Sequence, residues 1–202
     1  MKKIICYGDS NTFGYNPKDN SRFDENTRWP AVLQKNLGPE YEVLNEGACN
    51  RTGFVTNSDG DLFSAQKHFP QMLSKFDHID ILILAIGTND LQFQYDISFE
   101  TVEKGLENLI KLAKEKTENI IIIPPVVLSE KILEGFFRCQ FDEKSVTKSQ
   151  KEIIAQGGNV KKNLRKLNIA QMSGIAYSAI MLGVLLPKLN IWMTRGKRSN
   201  KK

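Results

Sequence analysis

Ser10 stands directly after Gly8-Asp9, where a short apolar run over residues 3–7 ends. A serine at the turn from a strand into a helix exposes its hydroxyl beside unpaired backbone N–H groups, and a helix N-terminus favours negative charge. Such a hydroxyl is placed to attack a carbonyl, provided donors stand ready for the oxyanion that develops. Gly47, in Asn45-Glu46-Gly47, offers a backbone N–H with no side chain in the way. Asn89, in Gly87-Thr88-Asn89-Asp90, offers a carboxamide NH2. Alone, each of these short stretches is an ordinary turn. Together they form a set, because each follows an apolar run.

Those runs and the segments between them define the scaffold. Residues 79–86 contain one polar residue, Asp80, and read as a buried strand ended by Gly87. Residues 119–123 form another, stopped by Pro124-Pro125, and residues 41–44 a further strand broken by Asn45-Glu46-Gly47. Residues 28–37 predict a helix, with Pro30 in its first turn, an apolar stripe of Val32, Leu33 and Leu37, and Gly38 as its stop. A short helix is expected over 69–76. A longer one is expected over 99–116, where Phe99, Val102, Leu106, Leu109, Ile110 and Ala113 share a face and Ser98 is the N-cap. The turn-rich stretch 53–60 reads as a long polar loop. Continuously apolar strands alternating with helices indicate a parallel sheet covered on both faces. In such sheets ligands sit beyond the carboxyl ends of the strands, so residues 8–11, 45–48, 87–90 and 124–125 should converge on one site.

The residues also carry a family resemblance. Tyr7-Gly8-Asp9-Ser10-Asn11-Thr12-Phe13-Gly14 resembles the first block of the GDSL, or SGNH, hydrolases; Asn45-Glu46-Gly47 resembles the second and Gly87-Thr88-Asn89-Asp90 the third. Arg22-Phe23, Arg28-Trp29 and the spacing of the blocks are similar to the small single-domain arylesterase branch. The resemblance runs from residue 1 to about 150 and implies a flavodoxin-like three-layer α/β/α fold with a parallel sheet. It also implies hydrolysis of carboxylic esters or thioesters through an acyl-serine, with a small-molecule ester as substrate. Carried over, Ser10 is the nucleophile and first oxyanion donor, with Gly47 and Asn89 the other two.

The family's fourth block, Asp-x-x-His, supplies the general base, without which a serine hydroxyl is a poor nucleophile near neutral pH. This sequence has no Asp after Asp142 and no His after His78. His78 precedes the strand at 79–86 and so lies at the wrong end of the sheet, on the order of 25 Å from the carboxyl edge. His68 reads as a pocket-rim or helix-start residue, and Asp9 is too weak a base to replace an imidazole. Impaired turnover is therefore expected. The rival reading is a non-catalytic ligand-binding protein that keeps the pocket.

Charge divides the chain where the resemblance ends. Residues 1–142 hold 15 Lys/Arg against 21 Asp/Glu, a net of −6; residues 143–202 hold 13 against 2, a net of +11. The overall +5 thus combines an acidic body with a basic tail, which argues against a nucleic-acid partner, as no DNA- or RNA-binding motif occurs. The division suggests a hydrolase domain over 1–155 and an aberrant, divergent tail over 156–202. Three readings of the tail stand: out-of-frame translation, a membrane anchor from Leu167 to Pro187, and a divergent segment that packs on the body or binds a polyanion. Cys6, Cys49 and Cys139 are far apart with no CxxC, so neither a zinc site nor a disulfide framework is expected, and no cofactor is implied. The start of the chain lacks a signal peptide's long apolar region, which places the expected setting in the cytoplasm.

Overall fold

The computed structural model describes residues 1–56, 63–123, 125, 128–134, 136–149 and 170–171. β1 (Lys2–Gly8) leads into the one-turn helix α1 (Ser10–Phe13), followed by a small antiparallel hairpin of β2 (Tyr15–Asn16) and β3 (Ser21–Arg22). Then come α2 (Trp29–Leu37), β4 (Tyr41–Gly47), α3 (Ala65–Leu73) and β5 (Ile81–Ala85). The chain continues through α4 (Phe99–Lys114), β6 (Ile120–Ile123), α5 (Glu143–Thr147) and the two-residue β7 (Ala170–Gln171).

The main sheet is parallel throughout, in the order β4-β1-β5-β6-β7. From β1 the chain moves outward to β4 on one side and then returns to β5 on the other. This is the flavodoxin-like strand order, and its crevice opens where the order reverses, beyond the carboxyl ends of β1 and β5. The strands are apolar on both faces because both faces are covered. On one face Ile5, Tyr7, Leu82, Leu84, Ile120 and Ile122 pack against the stripes of α3 and α4. On the other, Ile4, Cys6, Ile81, Ile83, Ile121 and Ile123 pack against Trp29 and Leu33 of α2. The three-layer α/β/α architecture expected from the sequence is the one observed.

The largest boundary differences from expectation are in β4 and α3. β4 does not break at Asn45 but runs on to Gly47, because the parallel register pairs Asn45, Glu46 and Gly47 with Cys6, Tyr7 and Gly8. Pairing with a central strand outweighs the turn propensity of those residues. α3 begins at Ala65 rather than near residue 69, and its buried residues Ala65, Phe69, Met72 and Leu73 fall at helical spacing. The polar stretch Gln66-Lys67-His68 hid that stripe. By contrast α2 and α4 start as read, α4 with the Ser98 side chain accepting from the Thr101 N–H. The tail readings, including the span from Leu167 to Pro187, lie outside the described residues except for 170–171. Among the described residues no helix is long and apolar enough to cross a membrane.

Candidate active site

The four strand ends meet. The Ala48 N–H donates to the Gly8 carbonyl at 3.2 Å, and the Asp9 N–H to the Ala85 carbonyl at 3.4 Å. Gly87, at φ +123°, lies so close to Pro125 that an added Cβ would stand 3.3 Å from its Cγ. These ties join β4, β1, β5 and the segment after β6 at one edge.

Ser10 is the first residue of α1 and is half-buried. Asp9 caps that helix: its carboxylate accepts from the Asn11 N–H at 2.9 Å and from Asn11 Nδ2 at 3.1 Å. Burial pushes the Asp9 carboxyl above the usual range, opposed by those bonds and by others from Thr88. Since Thr88 follows β5, Asp9 joins the first and third segments of the site directly.

Close approach explains the glycines. A Cβ on Gly8 would lie 2.1 Å from Thr12 Oγ1 and 2.4 Å from the Ala85 carbonyl oxygen. One on Gly47 would lie 2.2 Å from the Phe13 nitrogen. α1, and with it Ser10, can sit on the sheet end only because both positions lack a side chain. Gly47's N–H, however, donates to Asn45 Oδ1 at 2.9 Å, while Asn45 Nδ2 donates to the Thr12 carbonyl at 2.9 Å. Gly47 thus reaches the predicted place, but its N–H is committed there; its observed contribution is shape.

Asn89 is buried at the start of the turn after β5. Its Nδ2 donates to the Arg51 carbonyl at 3.0 Å, and its Oδ1 accepts from Gln92 Nε2 at 3.1 Å. The acceptor side is held, so the carboxamide cannot flip without losing both bonds. One Nδ2 hydrogen remains for a ligand. The backbone N–H groups of Ser10 and Asn50 have no partner among the described residues. Asn50 occupies the third position of a turn closed by the Arg51 N–H on the Ala48 carbonyl, at φ +60°, a conformation that asparagine tolerates.

Two groups central to this edge were not singled out by the sequence. Arg51, 1% exposed, donates from Nη1 to the Gly8 carbonyl at 2.9 Å and to the Glu46 carbonyl, and its guanidinium lies 4.3 Å over the Tyr7 ring. It therefore clamps the ends of β1 and β4. Asp90, also 1% exposed, accepts from the N–H groups of Gly53, Phe54 and Val55 at 2.6, 2.8 and 3.0 Å. Three donors favour the carboxylate, yet desolvation outweighs them and pushes the group up to about 6. The only sequence signal for either was a charged residue inside a turn-rich stretch.

His78 is exposed, 3.8 Å from Asp80 at the amino end of β5, as its position before the strand implied. His68 lies on α3, with Nδ1 3.2 Å from the Tyr7 hydroxyl and its ring stacked on Tyr7. Among the described residues no cluster of His, Cys, Asp and Glu could hold a metal ion.

This fold and the convergence at its switch point define an SGNH-type α/β hydrolase scaffold. The profile of the GDSL-like Lipase/Acylhydrolase family matches residues 6–153, and the chain belongs to that family. No curated protein sequence matches it. Among solved structures it is similar to the native aryl esterase of M. smegmatis, with a TM-score of 0.70 and 21% identity over 86% of this chain and 85% of that one. It is similar to a carbohydrate acetylesterase family member from Sinorhizobium meliloti, with a TM-score of 0.67 and 26% identity over 86% and 83%. Est24, a carbohydrate acetylesterase from the same organism, gives a TM-score of 0.68 and 19% identity over 96% of this chain and all of that one. The chain is an ester hydrolase by family.

Proposed function

We propose that the protein hydrolyses carboxylic ester or thioester bonds of small molecules through an acyl-Ser10 intermediate. The observation that carries this reading is that Ser10 opens α1 just after β1 and Asn89 opens the turn after β5, two neighbouring strands at the switch point of the sheet. Ser10 Oγ attacks the carbonyl carbon. The oxyanion is met by the Ser10 N–H, the Asn89 carboxamide and a third donor. Gly47, the expected third donor, has its N–H bound to Asn45, so we assign that role to the Asn50 N–H, with Gly47 providing the space for α1. Fixed donors in a partly dry site stabilise the developing charge without reorganising at the moment of reaction.

Turnover is slow, because these 202 residues hold no histidine beyond His78 to take the Ser10 proton. Loss of one triad member leaves only the rate supplied by binding and the oxyanion donors. Hydrolysis of p-nitrophenyl acetate by the protein and by Ser10→Ala tests both statements. Weak turnover that Ser10→Ala abolishes is expected. Equal rates in the two proteins would overturn the nucleophile, and vigorous Ser10-dependent turnover would overturn the missing base. A purely ligand-binding role is not favoured, since both the family and the neighbours' names are those of esterases.

A further inference from the structure

The segment joining α1 to α2 brings two arginines against Ser10's helix, and among the described residues they share one ion pair, from Arg28 to the exposed Glu25. Arg22, on β3, donates from Nε to the Phe13 carbonyl at 2.8 Å, at the end of α1, and its guanidinium lies 4.3 Å over the Phe13 ring. Those two contacts fix the plane of the fork. Neither terminal nitrogen of Arg22 has a partner among the described residues. Arg28, the residue before α2, packs its stem on Gly14, where an added Cβ would stand 2.4 Å from Arg28 Cγ. Its Nε is buried without a hydrogen bond, and its only described carboxylate is Glu25, at 3.5 Å and 85% exposed.

The charges of Arg22 and Arg28 act on each other, and burial together with that repulsion pulls Arg22 down from its ordinary value. Cys49, in the turn after β4, is acted on by the charges of both Asp9 and Arg22. Two like charges that act on each other, with a single solvent-exposed acid paired to Arg28, leave the Arg22 charge unsatisfied. A planar fork with both ends free matches a carboxylate, which it can bind through two parallel bonds.

The geometry points to a carboxylate-recognising subsite beside Ser10, built on the Arg22 fork and reinforced by Arg28, which selects esters that carry a free carboxylate. It rests on the proposed Ser10 reaction for its biological use, but not for its detection. Binding of monomethyl succinate and of dimethyl succinate to the full chain, measured by titration calorimetry, separates the two. The monoester binds about three- to ten-fold more tightly than the diester, in line with a charge-assisted bond at a partly exposed site.

Arg22→Ala removes that preference and leaves diester affinity as it was, whereas Arg22→Lys retains part of it. Circular dichroism of each variant establishes that the fold is kept. In Ser10→Ala the preference for the monoester persists, so a failure of the hydrolase reading leaves this result standing. Equal affinity for the two esters in the unaltered protein, or an undiminished preference in Arg22→Ala, would overturn the subsite.

Discussion

At the carboxyl end of the sheet Asp9, Arg51, Asn89 and Asp90 are each no more than 7% exposed, and each is bonded to the backbone of a turn or strand end. At the amino end, Asp80 accepts from the Lys3 N–H at 2.7 Å, Asn119 Nδ2 donates to the Asp80 carbonyl at 3.0 Å, and His78 stands in solvent nearby. Both ends are tied by polar contacts, but only one removes charged side chains from water. Burying a guanidinium and two carboxylates is costly unless each is bonded, so such a cluster persists where it holds a precise arrangement. The amino end closes the sheet at little cost and holds nothing else.

If that contrast is correct, substitutions of equal size should differ sharply between the two ends. The largest effect is expected from Gly47→Ala, whose new methyl meets α1 backbone rather than a side chain that could swing aside. It should destabilise the protein by about 3 kcal/mol in urea unfolding, as forced overpacking does, and abolish Ser10-dependent chemistry. Asn89→Ala removes a donor and its bond to the Arg51 carbonyl. A fall of about a hundred-fold in the Ser10-dependent rate on p-nitrophenyl acetate is expected.

Asp90→Asn should cost about 2 kcal/mol, because a carboxamide cannot accept from all three N–H groups that the carboxylate serves. Its pH dependence has a definite sign. The native carboxyl, pushed up to about 6, binds its proton more tightly than the unfolded one. The stability this group adds is therefore complete below its ordinary value near 3.8 and is lost as pH rises through about 6. Urea midpoints measured between pH 4 and 7 should fall in the native protein, and Asp90→Asn should flatten that slope. The smallest effect belongs to the amino end: His78→Ala should change stability by less than about 0.5 kcal/mol and leave the Ser10-dependent rate unaltered.

The same contrast explains what could be read from the sequence. The strands around Ile81–Ala85 and Ile120–Ile123 were legible because continuous apolar runs bounded by Gly and Pro have few alternatives. That Ser10 and Asn89 lie at strand ends was legible because each follows such a run within a few residues. The extension of β4 to Gly47 was not, since Asn45 and Glu46 are strand residues only by virtue of their pairing with β1. Arg51 and Asp90 escaped notice for a related reason: Arg51 bonds across 43 residues to Gly8, and Asp90 across 37 to Gly53, distances over which local patterns carry no information. Gly47 reads from the sequence as a donor, and only its neighbour Asn45 reveals that the N–H is spent.

The acyl-Ser10 intermediate proposed above, with no histidine after His78 in this sequence to help clear it, should accumulate. p-Nitrophenoxide leaves without a proton and the Ser10 hydroxyl proton passes to solvent water, so acylation of this activated ester proceeds slowly while deacylation by water lags further behind. Intact-mass analysis of the protein after brief exposure to that ester, with peptide mapping, tests this directly. One acetyl group, on Ser10, that persists and is missing in Ser10→Ala is the expected result. An unmodified Ser10, or equal acetylation of the Ser10→Ala variant, would contradict it.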